Sequence, residues 1–192
     1  TELRAALQEL MTSKKVELGE VYQINTRIGR EFAAVANELI DVTSMTRENI
    51  VAIGSHGQTI CHEPLAAIPY TVQLGCPHTI VEMTKIPVVA DFRTRDLVLG
   101  GQGAPLAPLY HQALFFSLGY PLAIVNVGGI ANISILLAPR QAEESSNTGK
   151  NASTSIIGYD VGPGNCLMDA WIQHCKGELY DFDGHWASQG DR

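Results

Sequence analysis

The chain has 192 residues, of which 45% are hydrophobic and 17% charged, a composition typical of a protein that forms a globular core. Its formal net charge of −7 excludes a general nucleic-acid binder, because no basic stripe is available to neutralise phosphates. A small anionic ligand is not excluded, since backbone N–H groups and one or two arginines suffice to bind one.

Several features indicate a cytoplasmic protein. The apolar runs are too short and too interrupted for a transmembrane helix, and no charged-then-apolar leader opens the chain. The four cysteines have no CxxC spacing, so we expect free thiols in a reducing compartment. The chain starts at Thr1 without Met and stops in polar residues, which suggests a piece of a longer protein.

The predicted elements alternate between helices and strands. Helices are expected at 1–12, 21–39, 78–85, 104–118 and after 165, and strands at 50–53, 70–74, 87–90, 122–125, 133–137 and 156–157. In the second helix, an apolar stripe predicted to pack in a core is formed by Val21, Ile24, Ile28, Phe32, Val35 and Leu39. The alternation predicts an α/β fold, and a hairpin around Gly128-Gly129 favours a mixed sheet.

Two glycine-rich or polar stretches divide this pattern. Gly100–Gly103 lies in a predicted flexible loop and is a plausible hinge, which places a first lobe at 1–97 and a second at 98–192. Residues 139–155 are polar and without periodicity, so they are predicted to form a mobile surface loop.

The first candidate site is the stretch Gly54–Thr59, a predicted turn at the end of a strand. His56 between glycines is oriented to hydrogen-bond a ligand or to shuttle a proton, although a lone loop histidine more often bonds its own backbone. Gly54 directly before Ser55 is not the spacing of a nucleophile elbow. His56 and His62 do not have a standard zinc spacing, so no metal site is expected.

The second candidate follows the strand at 87–90. Asp91 and Arg93 could bind sugar hydroxyls or a carboxylate, the latter through a bidentate guanidinium contact. An internal Asp–Arg salt bridge closing the strand is an equally good interpretation.

The third candidate is the turn Asn126–Asn132. Gly128 and Gly129 permit positive φ and close backbone approach, so their N–H groups could cradle phosphate oxygens. A plain hairpin turn is the more common outcome for such a sequence. The stretch is neither a Walker loop nor a dinucleotide fingerprint.

The fourth candidate is a strand, glycine turn and helix at Gly158–Trp171. The strand is predicted to end before Gly162, which places Asp160 at its carboxyl end, where open α/β sheets bind ligands. Asn165 is predicted to be the N-cap of the helix, which leaves Asp160 free. We expect Asp160 to be a catalytic base, with Asp91 as the second choice.

Together, the four stretches resemble the anhydro-N-acetylmuramic acid kinases. The motifs are GSHGQT at 54–59, ADFRTRDLVLGGQGAPLAP at 90–108, NVGGIANIS at 126–134 and GYDVGPGNCLMDAW at 158–171. The resemblance implies hexokinase/actin-like lobes of the ribonuclease H type with ATP in the cleft. It also implies a cytoplasmic role in recycling cell-wall sugars. The expected partners are small molecules, and neither nucleic acid nor a membrane is expected to bind. Whether the protein forms a homodimer is left open by the sequence.

The implied reaction opens the 1,6-anhydro bridge with water and transfers the γ-phosphate of ATP to O6. Asp160 resembles the family's base. Sugar-side candidates are His56, Gln58, Asp91, Arg93 and Asn165, and phosphate-side candidates are Asn126, Gly128, Gly129, Asn132, Gly162 and Gly164. Mg²⁺ is expected with ATP, bound by few protein ligands.

The chain departs from the family pattern at two points. The glycine-rich phosphate loop that the family carries near its N-terminus is absent, as is the adenosine-binding half. Val161 stands where the pattern commonly has Thr, which removes one hydroxyl. Two alternatives therefore remain: a truncated, inactive sugar-binding module, or a kinase for a different sugar.

Overall fold

Helices and short strands alternate in the computed structural model, which describes residues 2–13, 15–138 and 155–190. The chain divides into two compact units, Thr1–Ala104 and Pro105–Arg192. The α/β class predicted from the alternation is confirmed. The lobes of a kinase at 1–97 and 98–192 stay a prediction, and the loop at 139–155 lies outside the described residues except for its last position.

The first unit contains four helices and four strands among its described residues. The helices are α1 Glu2–Thr12, α2 Leu18–Thr43, α3 Pro77–Thr84 and α4 Thr94–Val98, with a 3₁₀ turn at Arg47–Asn49. The strands are β1 Ile53–Ser55, β2 Gln58–Glu63, β3 Tyr70–Leu74 and β4 Val88–Ala90. The predictions for α1, α2, α3, β3 and β4 are confirmed within a few residues.

The stretch Gly54–Thr59 is less of a turn than predicted. The expected strand at 50–53 begins only at Ile53 and continues to Ser55, and β2 already starts at Gln58. Only His56 and Gly57 remain between the strands. Gly57 makes this tight link possible, since its φ is +73° and a Cβ there would lie 2.8 Å from the Leu74 carbonyl oxygen.

Two short sheets organise this unit. β1 pairs with β4 in parallel, with Ile53 opposite Val88 and Ser55 opposite Ala90. β2 pairs with β3 in antiparallel orientation. Because the parallel strands end side by side, the residues that follow them, His56 and Asp91, emerge at the same edge.

The apolar stripe of α2 is buried only in part. Ile24 and Ile28 join Leu10 and Leu74 in a core cluster. Phe32, Val35 and Leu39 are exposed, in contrast to the prediction, and Ala33 and Ile40 are buried instead. The close approach of α3 explains the shift, because a Cβ on Gly29 of α2 would lie 2.9 Å from the carbonyl oxygen just before α3.

The second unit contains helices α5 Ala107–Phe115 and α6 Cys166–Lys176 and strands β5 Leu122–Val127, β6 Ile130–Leu136 and β7 Ile156–Pro163. Three 3₁₀ turns lie at Phe116–Leu118, Phe182–Gly184 and Ala187–Gln189. The strands form an antiparallel sheet in the order β5-β6-β7, which confirms the hairpin predicted around Gly128-Gly129. Parallel pairing occurs in the first unit only, so no sheet among the described residues is mixed, in contrast to the expectation.

Strand β7 was predicted to end before Gly162, but it continues to Pro163. Asn132 pairs with Asp160 and Ala131 with Gly162, so Val161 is an extra residue in a β-bulge. Proline is tolerated because β7 is an edge strand of the described sheet. Asp160 therefore lies within a strand beside a bulge rather than at its end.

Helix α5 packs on β7 at Gly158, where an added Cβ would overlap the ring of Pro108. Ile172 of α6 is 1% exposed and Leu136 of β6 is fully buried, so both contribute to apolar burial in the second unit. None of the described helices is both long and apolar enough to cross a membrane.

Candidate functional site

The first unit has a cavity of about 290 Å³, lined by both polar and apolar residues, at the carboxyl ends of β1 and β4. Ser55, His56 and Asp91 line it together with residues of α2, β3 and α4. Ligands bind at this edge in open α/β sheets, because helix and loop residues converge there. The predicted candidates His56 and Asp91 are therefore brought together, although they are 35 positions apart.

Asp91 has an unusual backbone conformation directly after β4. Its φ is 56°, a left-handed value that Asp tolerates better than most residues. One carboxylate oxygen, Oδ1, accepts a hydrogen bond from the Thr94 N–H at 3.3 Å, which holds the side chain at the start of α4. Oδ2 has no hydrogen bond among the described residues, so Asp91 can accept one from a ligand hydroxyl.

Ser55 is a cavity residue that the sequence analysis considered only as a nucleophile. The residue is 7% exposed, and its Oγ has no hydrogen-bond partner among the described residues. A buried hydroxyl without a partner is costly, so Ser55 marks a place where a further polar group is needed. The only signal in the sequence was its place directly before His56 in the stretch Gly54–Thr59.

Arg93 does not form the strand-closing salt bridge with Asp91 that was one of the two interpretations. Its Nε donates to His56 Nε2 at 2.9 Å, and its Nη1 donates to the Gly103 carbonyl oxygen at 2.9 Å. Gly103 N in turn donates to Asp96 Oδ2 at 2.7 Å. The end of the predicted flexible loop is thus fixed through both polar groups of Gly103.

Gln58 is not among the cavity residues. It begins β2 opposite Leu74, and its Nε2 donates to the neighbouring Thr59 carbonyl oxygen at 3.2 Å. Its predicted contact with a sugar stays a prediction.

In the second unit, three predicted site residues form one row across the sheet. Asn126 of β5 pairs with Asn132 of β6, and Asn132 pairs with Asp160 of β7. Directly paired residues of neighbouring strands carry their side chains on the same face, about 5 Å apart. Asp160 is exposed and makes no side-chain hydrogen bond within the described part of the chain, so its carboxylate is available to a ligand or water.

The Gly128-Gly129 turn lies next to this row, between β5 and β6. Neither glycine has a positive φ, so the predicted need for glycine's conformational freedom is absent here. The two glycines instead leave open space at the turn, since an added Cβ on either would meet no atom closer than 3.8 Å. Their N–H groups donate to no backbone carbonyl among the described residues, which leaves two donors for an anion.

The Gly164 N–H, which was expected to bind phosphate, is not free, and neither are the next two N–H groups. Gly164 N and Cys166 N donate to the Gly129 carbonyl oxygen at 2.9 and 3.2 Å, and Asn165 N donates to the Gly128 carbonyl oxygen at 2.7 Å. An added Cβ on Gly164 would overlap that Gly128 oxygen. The glycine turn therefore caps α6, and Gly164 is needed for close packing.

Asn165 is the N-cap residue by position, as predicted, but its side chain makes no capping hydrogen bond. Asn165 therefore does not free Asp160 by replacing it as a side-chain cap, in contrast to the expectation. Asp160 is free because it lies inside β7, away from the first turn of α6. Gly162 lies opposite Ala131 beyond the bulge, with open space around its Cα.

Cys76 lies beside the cavity of the first unit, between the cavity residues Gly75 and Pro77. Burial raises the pKa of the Cys76 thiol, but hydrogen bonds from the Thr79 hydroxyl and from the N–H groups of Thr79 and His78 outweigh it, and the net pKa is below its usual range. All four cysteines are free thiols. No group of three or more metal-binding side chains occurs among the described residues.

The whole chain, residues 1–192, matches a family model described as anhydro-N-acetylmuramic acid kinase. It is 50% identical over 190 residues to the anhydro-N-acetylmuramic acid kinase of Legionella pneumophila strain Philadelphia 1, covering 99% of this chain and 48% of that protein. It is 42% identical over 189 residues to the protein of the same name from Shewanella sp. strain MR-4, covering 98% and 48%. The chain thus spans about half the length of these curated relatives.

Proposed function

Because the chain belongs to the anhydro-N-acetylmuramic acid kinase family, we propose that its protein uses ATP to open 1,6-anhydro-N-acetylmuramic acid and to phosphorylate O6. The product is N-acetylmuramic acid 6-phosphate. This reaction recycles a cell-wall sugar, and we assign it to the cytoplasm. The two units then belong to hexokinase/actin-like lobes of the ribonuclease H type.

One observation carries the assignment of roles. Asp160 lies in a row with Asn126 and Asn132, immediately beside the Gly128-Gly129 turn with its two available N–H groups. A carboxylate and an anion-binding turn on the same small sheet are the two groups that coupled hydrolysis and phosphoryl transfer require.

In this mechanism, Asp160 accepts a proton from water as the water oxygen bonds to the anomeric carbon. The bond from the anomeric carbon to O6 breaks, and O6 forms a bond to the γ-phosphorus while the bond to ADP breaks. The amides of Asn126 and Asn132 orient the reacting groups, and the Gly128 and Gly129 N–H groups hold phosphate oxygens. Mg²⁺ arriving with ATP would neutralise phosphate charge.

The cavity of the first unit supplies sugar recognition in this proposal. Asp91 Oδ2 accepts from a sugar hydroxyl, and Ser55 gains the partner that its buried hydroxyl lacks. Arg93 does not itself line the cavity but bonds His56, which does. It retains Nη2 for an anion after its Nε and Nη1 are used, and the lactyl carboxylate of the substrate provides one.

The test is Asp160→Asn in the full-length protein, with purified anhydro sugar and ATP. We expect turnover to fall by roughly 100-fold or more with little change in sugar affinity, as for removal of a general base. Asp183→Asn is a matched control, because Asp183 is exposed and has a φ of 53° that Asn also adopts. Near-normal turnover of Asp160→Asn would contradict the assignment of Asp160 as the base, and Asp91 would then be the candidate.

A further inference from the structure

His56 uses both ring nitrogens within the protein. Nδ1 lies 2.9 Å from the Gly57 carbonyl oxygen, and Nε2 lies 2.9 Å from Arg93 Nε. A carbonyl oxygen can only accept, so Nδ1 must carry the proton. The Arg93 Nε–H can only donate, so Nε2 must be the acceptor. These two partners together select the neutral imidazole with the proton on Nδ1.

This choice of tautomer fixes Arg93. With its Nε bound to His56 and its Nη1 bound to the Gly103 carbonyl oxygen, the guanidinium plane is held at two corners. Gly103 is itself buried and bound to Asp96. The network therefore joins the β1–β2 link, the start of α4 and the glycine loop. Nη2 is the corner that has no partner among the described residues.

We propose that His56 is a positioning residue that fixes Arg93 for an oxyanion of the substrate, and that it does not transfer a proton itself. Proton transfer would require a ring nitrogen open to the reacting groups, whereas both nitrogens face fixed partners. The identity of the oxyanion as the substrate carboxylate rests on the proposed function. The hydrogen-bond network itself is independent of the proposed function.

Two replacements of His56 in the full-length protein separate positioning from proton transfer. Gln places an amide oxygen close to the position of Nε2, so it can accept from Arg93, but it cannot act as an acid or base near neutral pH. We expect His56→Ala to raise KM for the anhydro sugar about 10-fold or more with a smaller change in kcat, and His56→Gln to restore most of the loss.

Arg93 and His174 supply the controls. If His56 acts through Arg93, the double variant His56→Ala/Arg93→Ala should be no worse than Arg93→Ala alone, because the two losses are not independent. His174 is exposed in the last turn of α6 in the second unit and makes no side-chain hydrogen bond among the described residues, so His174→Gln should have wild-type kinetics. Equal losses for His56→Ala and His56→Gln, or additive losses with Arg93→Ala, would overturn the proposal.

A second measurement keeps the proposal independent of kinase activity. In the ¹⁵N spectrum, the Arg93 Nε–H should exchange slowly with solvent in the wild type and in His56→Gln, and faster in His56→Ala. Equal exchange in all three proteins would refute the network even if the enzyme is active. If the Arg93 Nε–H exchanges slowly in a wild-type protein that does not turn over the anhydro sugar, the network is supported and the proposed function is refuted.

Discussion

Gly164→Ala tests the way in which the glycine turn caps α6. The added Cβ would overlap the Gly128 carbonyl oxygen and would lie 3.3 Å from Ala131 N. Separation to an ordinary C···O distance requires a shift of about 1 Å. Such a shift weakens the bonds from Asn165 N to Gly128 and from Cys166 N to Gly129. Gly164 has no positive φ, so backbone strain does not add to the effect.

The expected magnitude follows from these contacts. Two weakened backbone hydrogen bonds cost about 1–3 kcal/mol together, which corresponds to a urea midpoint lowered by about 1–2 M for a unit of this size. Both tryptophans, Trp171 and Trp186, lie in Pro105–Arg192, so fluorescence reports on this unit alone in the 192-residue chain.

Gly129→Ala is the matched control, because its Cβ meets only Cys166, at 3.9 Å, in the same turn. It should leave the midpoint within a few tenths of a molar. If Gly164→Ala and Gly129→Ala unfold at the same urea concentration as the wild type, the close approach of turn and helix is not present in solution.

Two further predictions concern stability. Thr84 is fully buried, and its Oγ1 accepts from Ile86 N at 3.3 Å, so Thr84→Val should destabilise the first unit by about 1–3 kcal/mol in thermal unfolding, whereas Thr84→Ser should retain most of the bond. Hydrogen bonds from the N–H groups of Trp186 and Ala187 lower the pKa of the Asp181 carboxyl in the folded state. The ionised carboxylate therefore stabilises the fold at pH values above its unfolded pKa of about 3.9. This stabilisation is lost as the pH falls through the lower pKa of the folded state. Asp181→Asn should therefore lower the melting temperature more at pH 6 than at pH 3, and an equal decrease at both values would contradict this linkage.

The sequence predicted those elements whose signals come from residues close together in the chain. The spacing of Ile24 and Ile28 identified α2, and the Gly128-Gly129 pair identified the hairpin. The position of the bulge at Val161 was not predictable, because it depends on register between β6 and β7, which are distant in sequence. The extension of β7 through Pro163 likewise depends on its place at the sheet edge.

Two residues of the first unit's cavity were singled out from the sequence, but their contacts were not. Asp91 and His56 were both singled out, and they line one cavity. Their partners were not foreseeable: His56 bonds Arg93 across 37 positions, and the N–H groups at the start of α6 bond the glycine turn. Such contacts follow from tertiary packing, on which the composition of a single motif carries no information.

The parallel pairing of β1 with β4 has a consequence for the order in which the first unit folds. Ile53 and Val88 are 35 positions apart, whereas the β2–β3 hairpin closes between Glu63 and Tyr70. Closing the longer loop costs more chain entropy and is slower, so we expect the hairpin to form before the parallel pair. His56 and Asp91 are brought together only by that later pairing. A folding intermediate with the hairpin formed would therefore still lack the cavity.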